Sequence, residues 1–394
     1  MPTPAKASQH AVNILVCGDL ILDVEQPDHW LSGIAPAIQA ADIAIGHLEV
    51  PHTNTHFELK GDVPAPGAPP ENLRALQRAG FTAVSLAGNH ITDSGPVGIA
   101  DTRKLLDELG IAYCGAGANL AEARRPAILS CDGRTIGLLS YNCVGPEIAW
   151  ATENQAGCAY LKLQTDDGGP VTPKLSTLRL CDETLAVLKQ DIDALKTQVD
   201  LVIVSLHKGI THCPATLAPY EQPVAHAAID AGADVVLSHH AHIVQGFEFY
   251  KGRPVFHGLG NGCVVTHALS PGQDHPERAA WVEQRKAMFG FEPDPAYELA
   301  PFHPEAVNAM LGTLRWHADG SLEAGMLPVH VEAPGRPVLA SGAEARKIAD
   351  YVQSISHKAG LKAFAMDFQE NRVQFLRERD LKPIQGKLKL KKQF

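Results

Sequence analysis

The sequence predicts an α/β fold, and three observations carry that prediction. Short apolar runs alternate with segments of helical spacing through roughly the first 260 residues. Each apolar run stops at a polar residue or a short polar cluster. The richest of these ends is residues 234–242, Asp-Val-Val-Leu-Ser-His-His-Ala-His, where a buried strand gives way to three histidines. On an extended chain His240 and His242 fall on one side, because side chains alternate with period 2, and two neutral imidazoles pointing one way suit a divalent cation.

The elements follow in order. Residues 13–17 form a strand ending in Gly18 and Asp19, and residues 41–46 a second ending in His47, Leu48 and Glu49. Residues 71–80 have helical spacing with a glycine stop. Residues 82–86 form a third strand, ahead of Gly88, Asn89 and His90. Residues 98–110 place Ile99, Leu105, Leu106 and Leu109 on a helix. Residues 127–130 and 135–141 flank Asp132-Gly133, a hairpin turn, and residues 164–173 are loop-like in their Pro, Gly and Asp content. Residues 182–196 are helical, and residues 200–206 form a strand ending in His207. A helix over 220–231 leads into the histidine-rich strand, and residues 245–250 pair with 254–257 around Lys251-Gly252. In layered α/β folds the loops at the carboxyl ends of strands converge, so polar strand ends there build sites.

The character changes after about residue 265. Residues 266–310 are rich in Pro, Glu and aromatics (Trp281, Phe289, Phe291, Tyr297, Phe302) and read as an insertion or lid on a core of residues 1–265. Residues 311–394 read as a hairpin about Asp319-Gly320 that completes the sheet, then C-terminal helices over 343–357 and on to about Arg379.

At 394 residues with 45% hydrophobic and 20% charged content, the chain has a soluble globular composition. A net charge of −10 excludes a broad nucleic-acid surface, and the only basic run is the tail at residues 387–392. No stretch approaches the apolar length of a membrane span, and residues 1–10 lack the apolar core of a signal peptide. The eight cysteines are scattered with no Cys-x-x-Cys pair, so they read as small hydrophobes in a reducing, cytoplasmic setting.

Five strand ends carry Asp19, Glu49, Asn89-His90, His207 and His240-Ala-His242. Each alone has an ordinary reading as a turn, cap or loop residue; nothing structural requires the set. A Glu in an apolar run needs a partner, since a buried unpaired carboxylate is costly. Asp93, three residues after His90, is placed to fix one tautomer of that imidazole.

These blocks resemble those of the calcineurin-like metallophosphoesterases, and more closely the CapA family, named for poly-γ-glutamate capsule synthesis. The similarity runs through Gly18-Asp19, residues 41–51, residues 79–90 with Asp93 and Gly95, residues 115–117 and 123–126, residues 205–209, residues 230–242, Gln245-Gly-Phe-Glu248 and Leu259-Gly-Asn261. It implies a four-layered αββα sandwich with a C-terminal extension, and two divalent ions (Mn, Fe, Zn or Mg) at the sheet edge. It also implies that Asp19 and His242 hold the first ion, that Asn89, His207 and His240 hold the second, and that Glu49 bridges them. A hydroxide between the ions would be the nucleophile, with His90 as acid or charge stabiliser. The chain departs from the phosphoesterase pattern at Ile21, where a metal-binding histidine is expected. His47 stands for the family's Asn, Lys208 for Trp, Ser238 for Gly and His257 for Tyr. His47 either replaces the missing ligand or orients Glu49 by a hydrogen bond; Asp23 is a third option, although the chain is expected to have left the sheet edge there.

The function expected is a dinuclear-metal-dependent hydrolase of a small anionic substrate or glutamyl compound, cleaving a phosphoester or a γ-glutamyl or carboxamide bond. Lys208, Arg124 and Arg125 are candidates to meet a carboxylate or phosphate, with His239 and His257 also placed on the substrate side. The alternative is a non-catalytic, capsule- or partner-binding member that keeps the fold.

Overall fold

Alternation along the first strand sets the architecture. In the computed structural model, which describes residues 10–59, 66–172, 178–270, 287–370 and 372–377 together with 280, 283 and 284, that strand spans Val12–Asp23. Val12, Ile14 and Val16 belong to an apolar cluster shared with Ile136, Leu138, Leu201, Ile203, Val235 and Leu237 of a second sheet. Leu15, Leu20 and Leu22 cluster instead with Leu76, Ile99 and Leu106 of the helices Arg74–Ala79 and Gly95–Leu109. The second sheet repeats the rule. Ile203 faces the first sheet, while Val202, Val204 and Leu206 share a cluster with Leu188 and Ile192 of helix Asp182–Lys196 and Val224 and Ala228 of helix Glu221–Ala231. The result is two sheets face to face with helices outside each, the expected αββα sandwich.

The first sheet runs Ala365–Gln369, Arg372–Leu376, Leu322–Glu332, Asn308–Trp316, Val12–Asp23, Ile43–Leu48, Ala83–Ser85 and Ala112–Cys114. Asn261–Thr266 pairs in parallel with the far half of Val12–Asp23, from Asp19 onward. The second sheet runs Phe247–Tyr250, Arg253–Phe256, Val235–His239, Leu201–His207, Arg134–Asn142 and Ala127–Cys131. Val12–Asp23, Ile43–Leu48 and Ala83–Ser85 are parallel to one another in the first sheet, and Leu201–His207 and Val235–His239 in the second, so their carboxyl ends lie along one edge of the sandwich. Among the described residues no helix is long and apolar enough to cross a membrane.

The hairpin around Asp319-Gly320 forms as expected and pairs antiparallel to the first strand, Val12 opposite Trp316. Three expectations are corrected. The stretch after the helix Gly342–Lys358 is a hairpin, Ala365–Gln369 with Arg372–Leu376, rather than a further helix. Val373 and Phe375 alternate into the inter-sheet cluster, and Phe375 sits 4.4 Å from Phe247 by ring centroids; period-2 burial overrides local helical spacing. The first strand does not end at Gly18 but continues to Asp23 through a register shift at Asp19, because Asn261–Thr266 gives its second half a partner. Residues 164–173 are not all loop, since Gln164–Thr165 pairs with Leu178–Arg179. Trp281, Pro173 and residues 387–392 lie outside the described residues.

Candidate metal centre

The site is assembled at the common edge by five chain segments. Asp19 stands where the first strand changes register, and bulges of this kind re-aim side chains. The backbones there approach closely: Asp19 N–H donates to the Gly260 carbonyl at 2.9 Å, and a Cβ on Gly18 would lie 1.9 Å from that same oxygen. Only glycine fits, and the approach brings Asp19 beside the His240–His242 turn. The Asp19 carboxylate is fully buried. Its Oδ2 accepts from His240 N–H at 3.3 Å and lies 3.7 Å from His242 Nδ1, while Oδ1 lies 3.4 Å from His239 Nδ1.

His240 and His242 do converge, but pleating is not the reason. The strand ends at His239, and His240 (φ 92°) and His242 (φ 52°) both take positive-φ backbone conformations, which non-glycine residues adopt at a cost. His242 Nδ1 is 2.9 Å from Asn261 Oδ1, and its Nε2 makes an ion-pair contact of 3.3 Å with Glu49 Oε1. His207, the last residue of its strand, places Nε2 2.7 Å from Asn89 Oδ1 and 3.2 Å from His240 Nδ1. His47 stacks between His207 (4.6 Å) and His239 (4.7 Å), with Nδ1 2.9 Å from Ser85 Oγ. His90 Nδ1 is 2.7 Å from Asp93 Oδ2, both nearly buried.

Electrostatics sort these groups. Burial lowers His47 to about 4 and His239 and His240 to about 3, and holds His207 well below its ordinary value, so these rings are neutral lone-pair donors. His242 is the exception: burial opposes its charge, but Glu49 and Asp19 outweigh that and push it up to about 9. Asp19 is raised to about 7 by burial and then by Glu49; Glu49 is pulled down to about 2, burial being outweighed by His242. The two carboxylates are close enough to titrate as a pair.

A cation fits this donor set. Seven buried carboxylate and imidazole atoms lack a well-formed hydrogen bond: Asp19 Oδ1 and His239 Nδ1, which only approach each other at 3.4 Å, Glu49 Oε1, which has only its ion-pair contact with His242, and Glu49 Oε2, His47 Nε2, His207 Nδ1 and His240 Nε2. At about 1–3 kcal/mol for each unsatisfied buried polar atom, such a set would cost as much as the whole stability of an ordinary domain, about 5–15 kcal/mol. Two groups have ligand atoms within 4.8 Å of one another, Asp19–His47–His207 and Asp19–Glu49–His242.

Three of the residues expected to meet substrate are committed elsewhere. Lys208 is fully buried, its Nζ donating to Glu221 Oε2 (2.8 Å) and the His257 carbonyl (3.1 Å). His257 is buried with Nε2 3.1 Å from Glu248 Oε1, a carboxylate shared with His226 and Gln222. Arg124 forms a paired contact with Asp191, which also accepts from Tyr141 Oη. Arg125 is exposed, and its charge acts on Glu122. His239 lies inside the constellation rather than on its substrate side. Ile21 sits in an apolar cluster with Val50, Ala241, Ile243, Val264 and Phe302, and Phe302 from the 266–310 region stacks on His242 at 4.9 Å. Asp23 remains in the strand and accepts from Thr266 Oγ1.

Sequence reasoning passed over Ser85, Asn261, Glu221 and His212. Ser85 carried one signal, a hydroxyl inside an otherwise apolar strand, and Asn261 another, its place in the Leu-Gly-Asn block. His212 lies 6.2 Å from His242 and packs edge-on against Phe289 and Phe291; no local pattern announces it.

Fold and site together define a layered α/β protein with a candidate metal centre at the edge where its strands end. The bacterial capsule synthesis protein PGA_cap family matches residues 13–264, well over half of the chain, and the chain belongs to that family. It is 28% identical over 237 residues to the capsule biosynthesis protein CapA of Bacillus anthracis, covering 59% of this chain and 53% of that protein. It is 32% identical over 198 residues to a probable polyglutamine synthesis accessory protein of Mycobacterium tuberculosis, covering 49% and 47% respectively. The chain thus spans about half the length of these curated relatives. Among solved structures it is similar to the calcineurin-like phosphoesterase YfkN of Bacillus subtilis (13% identical, 89% of this chain and 98% of that one, TM-score 0.38). A hypothetical protein from Thermus thermophilus is also similar (16%, 80% and 99%, TM-score 0.41).

Proposed function

We propose that this protein is a divalent-metal-dependent hydrolase of a small anionic substrate, cleaving a phosphoester or a γ-glutamyl or carboxamide bond. The observation that carries the reading is the convergence of unsatisfied, fully buried carboxylate and imidazole atoms from separate strand ends. Asp19, Glu49, Asn89, His207, His240 and His242 would hold two ions. The donors are hard oxygens and borderline nitrogens with no thiolate, which suits Mn, Fe, Zn or Mg. When bound, such ions stabilise charge on the oxygens of the group under attack and make water nucleophilic near neutral pH.

The chain's own residues supply the rest. Asn261 holds His242 Nδ1, which leaves Nε2 turned toward Glu49. His90, held at Nδ1 by Asp93, is the residue placed to pass a proton to a leaving group, and its charge acts on both Glu49 and His240. Phe302, part of the apolar cluster around Ile21, covers one face of the His242 ring. The eight cysteines are all free, which supports a reducing compartment.

A second reading, a non-catalytic member that binds capsule material or a partner, is favoured by Ile21, which offers no ligand. The test is a hydrolysis screen of Mn-loaded protein on phosphomonoesters, phosphodiesters, γ-glutamyl compounds and simple amides. Turnover that disappears with chelation supports the hydrolase; bound metal with no turnover on any class supports the binding protein.

A further inference from the structure

The structure assigns His47 as a metal ligand, forming with Asp19 and His207 one of two ion positions that share the Asp19 carboxylate. This inference rests on the metal-dependent reading above and departs from the family expectation, in which Glu49 bridges and position 47 is not a ligand.

Consider first what His47 cannot be doing. Orienting Glu49 requires a hydrogen bond between them, yet His47 Nε2 makes none and Glu49 Oε1 is turned to His242 Nε2 at 3.3 Å. The ring is turned instead so that Nδ1 meets Ser85 Oγ at 2.9 Å. That hydroxyl donates to the Gly46 carbonyl and accepts from Ser205 Oγ–H at 3.1 Å. The tautomer with its proton on Nδ1 satisfies the remaining lone pair of that hydroxyl by donating to it and leaves Nε2 as a bare lone pair. Metal-binding histidines are held in this way by a hydrogen bond on the ring nitrogen away from the ion. Nε2 is fully buried and makes no hydrogen bond. A water-sized donor or a cation is the only way to satisfy it, and its neighbours are ligand atoms.

Those neighbours define the position. Ligand atoms of Asp19, His47 and His207 lie within 4.8 Å of one another, as do those of Asp19, Glu49 and His242. Asp19 is the one residue common to both groups. Its oxygens are divided accordingly: Oδ2 lies near His242, while Oδ1 lies near His239, whose ring stacks on His47. The space is tight, since a Cβ on Gly88 would stand 3.0 Å from His47 Nε2 and 3.3 Å from His207 Cε1. Glycine at 88 keeps that approach open. Ile21 meanwhile belongs to the apolar cluster under Phe302 and offers no ligand atom to either group.

The experiment is a Mn²⁺ titration of the full chain, read as ions bound per chain, with Co²⁺ absorption spectra as a second readout. Wild type, His47→Ala, Ser85→Ala, Glu49→Gln and Asp19→Asn are compared, each checked for folding by circular dichroism. The expected result is two ions for wild type, one for His47→Ala, one for Glu49→Gln, and none held tightly by Asp19→Asn. Ser85→Ala keeps both but binds one about 10–100-fold more weakly, with a shifted Co²⁺ spectrum; this variant decides the matter if His47→Ala fails to fold. A folded His47→Ala that binds both ions with wild-type affinity overturns the assignment, as does Ser85→Ala with an unaltered titration and spectrum. If wild type itself binds no ion, it is the metal-dependent reading that falls.

Discussion

Removing the carboxylate of Glu221 tests what Lys208 does. The Lys208 ammonium and Glu221 carboxylate are both fully buried and 2.8 Å apart. Glu221 also accepts from Ala218 N–H at 2.7 Å, and Lys208 donates to the His257 carbonyl. Glu221→Gln keeps the shape but leaves a buried ammonium uncompensated, a change that costs about 3–5 kcal/mol. Against a total of about 5–15 kcal/mol, that is a large fraction. Lys208→Met should cost a similar amount for the opposite reason. In the double variant Lys208→Met/Glu221→Leu no charge remains; only the Ala218 N–H and His257 carbonyl lose partners, at about 1–3 kcal/mol each. With Lys208→Met and Glu221→Leu as the singles, the double variant should therefore be more stable than their sum by about 4 kcal/mol, a coupling readable from urea unfolding. The pair also bears on the site, because Lys208 N–H donates to the His239 carbonyl and follows His207 directly. A loss below about 1 kcal/mol in Glu221→Gln, or a Lys208→Met that only raises KM, would refute this reasoning and return Lys208 to substrate binding.

His90→Ala should lower kcat roughly 10²–10⁴-fold while ion content by elemental analysis stays at the wild-type level; undiminished turnover would make His90 a structural residue. The pH dependence of ion binding has a definite sign. His242, raised to about 9 in the ion-free protein, carries a proton that a cation must displace, so apparent affinity should rise up to about pH 9. The expected slope is about tenfold per unit for one released proton, and steeper below about pH 7, where Asp19 is also protonated. Calorimetry in buffers of different ionisation enthalpy measures the release directly, and a flat profile between pH 7 and 9 contradicts it.

The sequence alone determined the layers and named most of the residues that meet at the candidate site. Near-continuous apolar runs such as residues 13–17 and 200–206 can be buried on both faces only inside a covered sheet. Acidic and imidazole residues at five successive strand ends then have one edge on which to meet. Tertiary structure decided which neighbours those residues found. Lys208 and Arg124 look in sequence like anion-binding cations, yet Glu221 and Asp191 arrive from helices that no local pattern ties to them. His240 and His242 converge through positive-φ backbone that a strand-based reading cannot foresee. The hairpin Ala365–Gln369 with Arg372–Leu376 forms because Phe247 and Phe364 wait in the inter-sheet layer for Phe375. For His47 the sequence left two roles open, and only the position of Ser85 on the adjacent strand orients the ring. Side-chain type and spacing are local properties; pairing partners, ring rotation and the burial that shifts a pKa are set by residues far away in the chain.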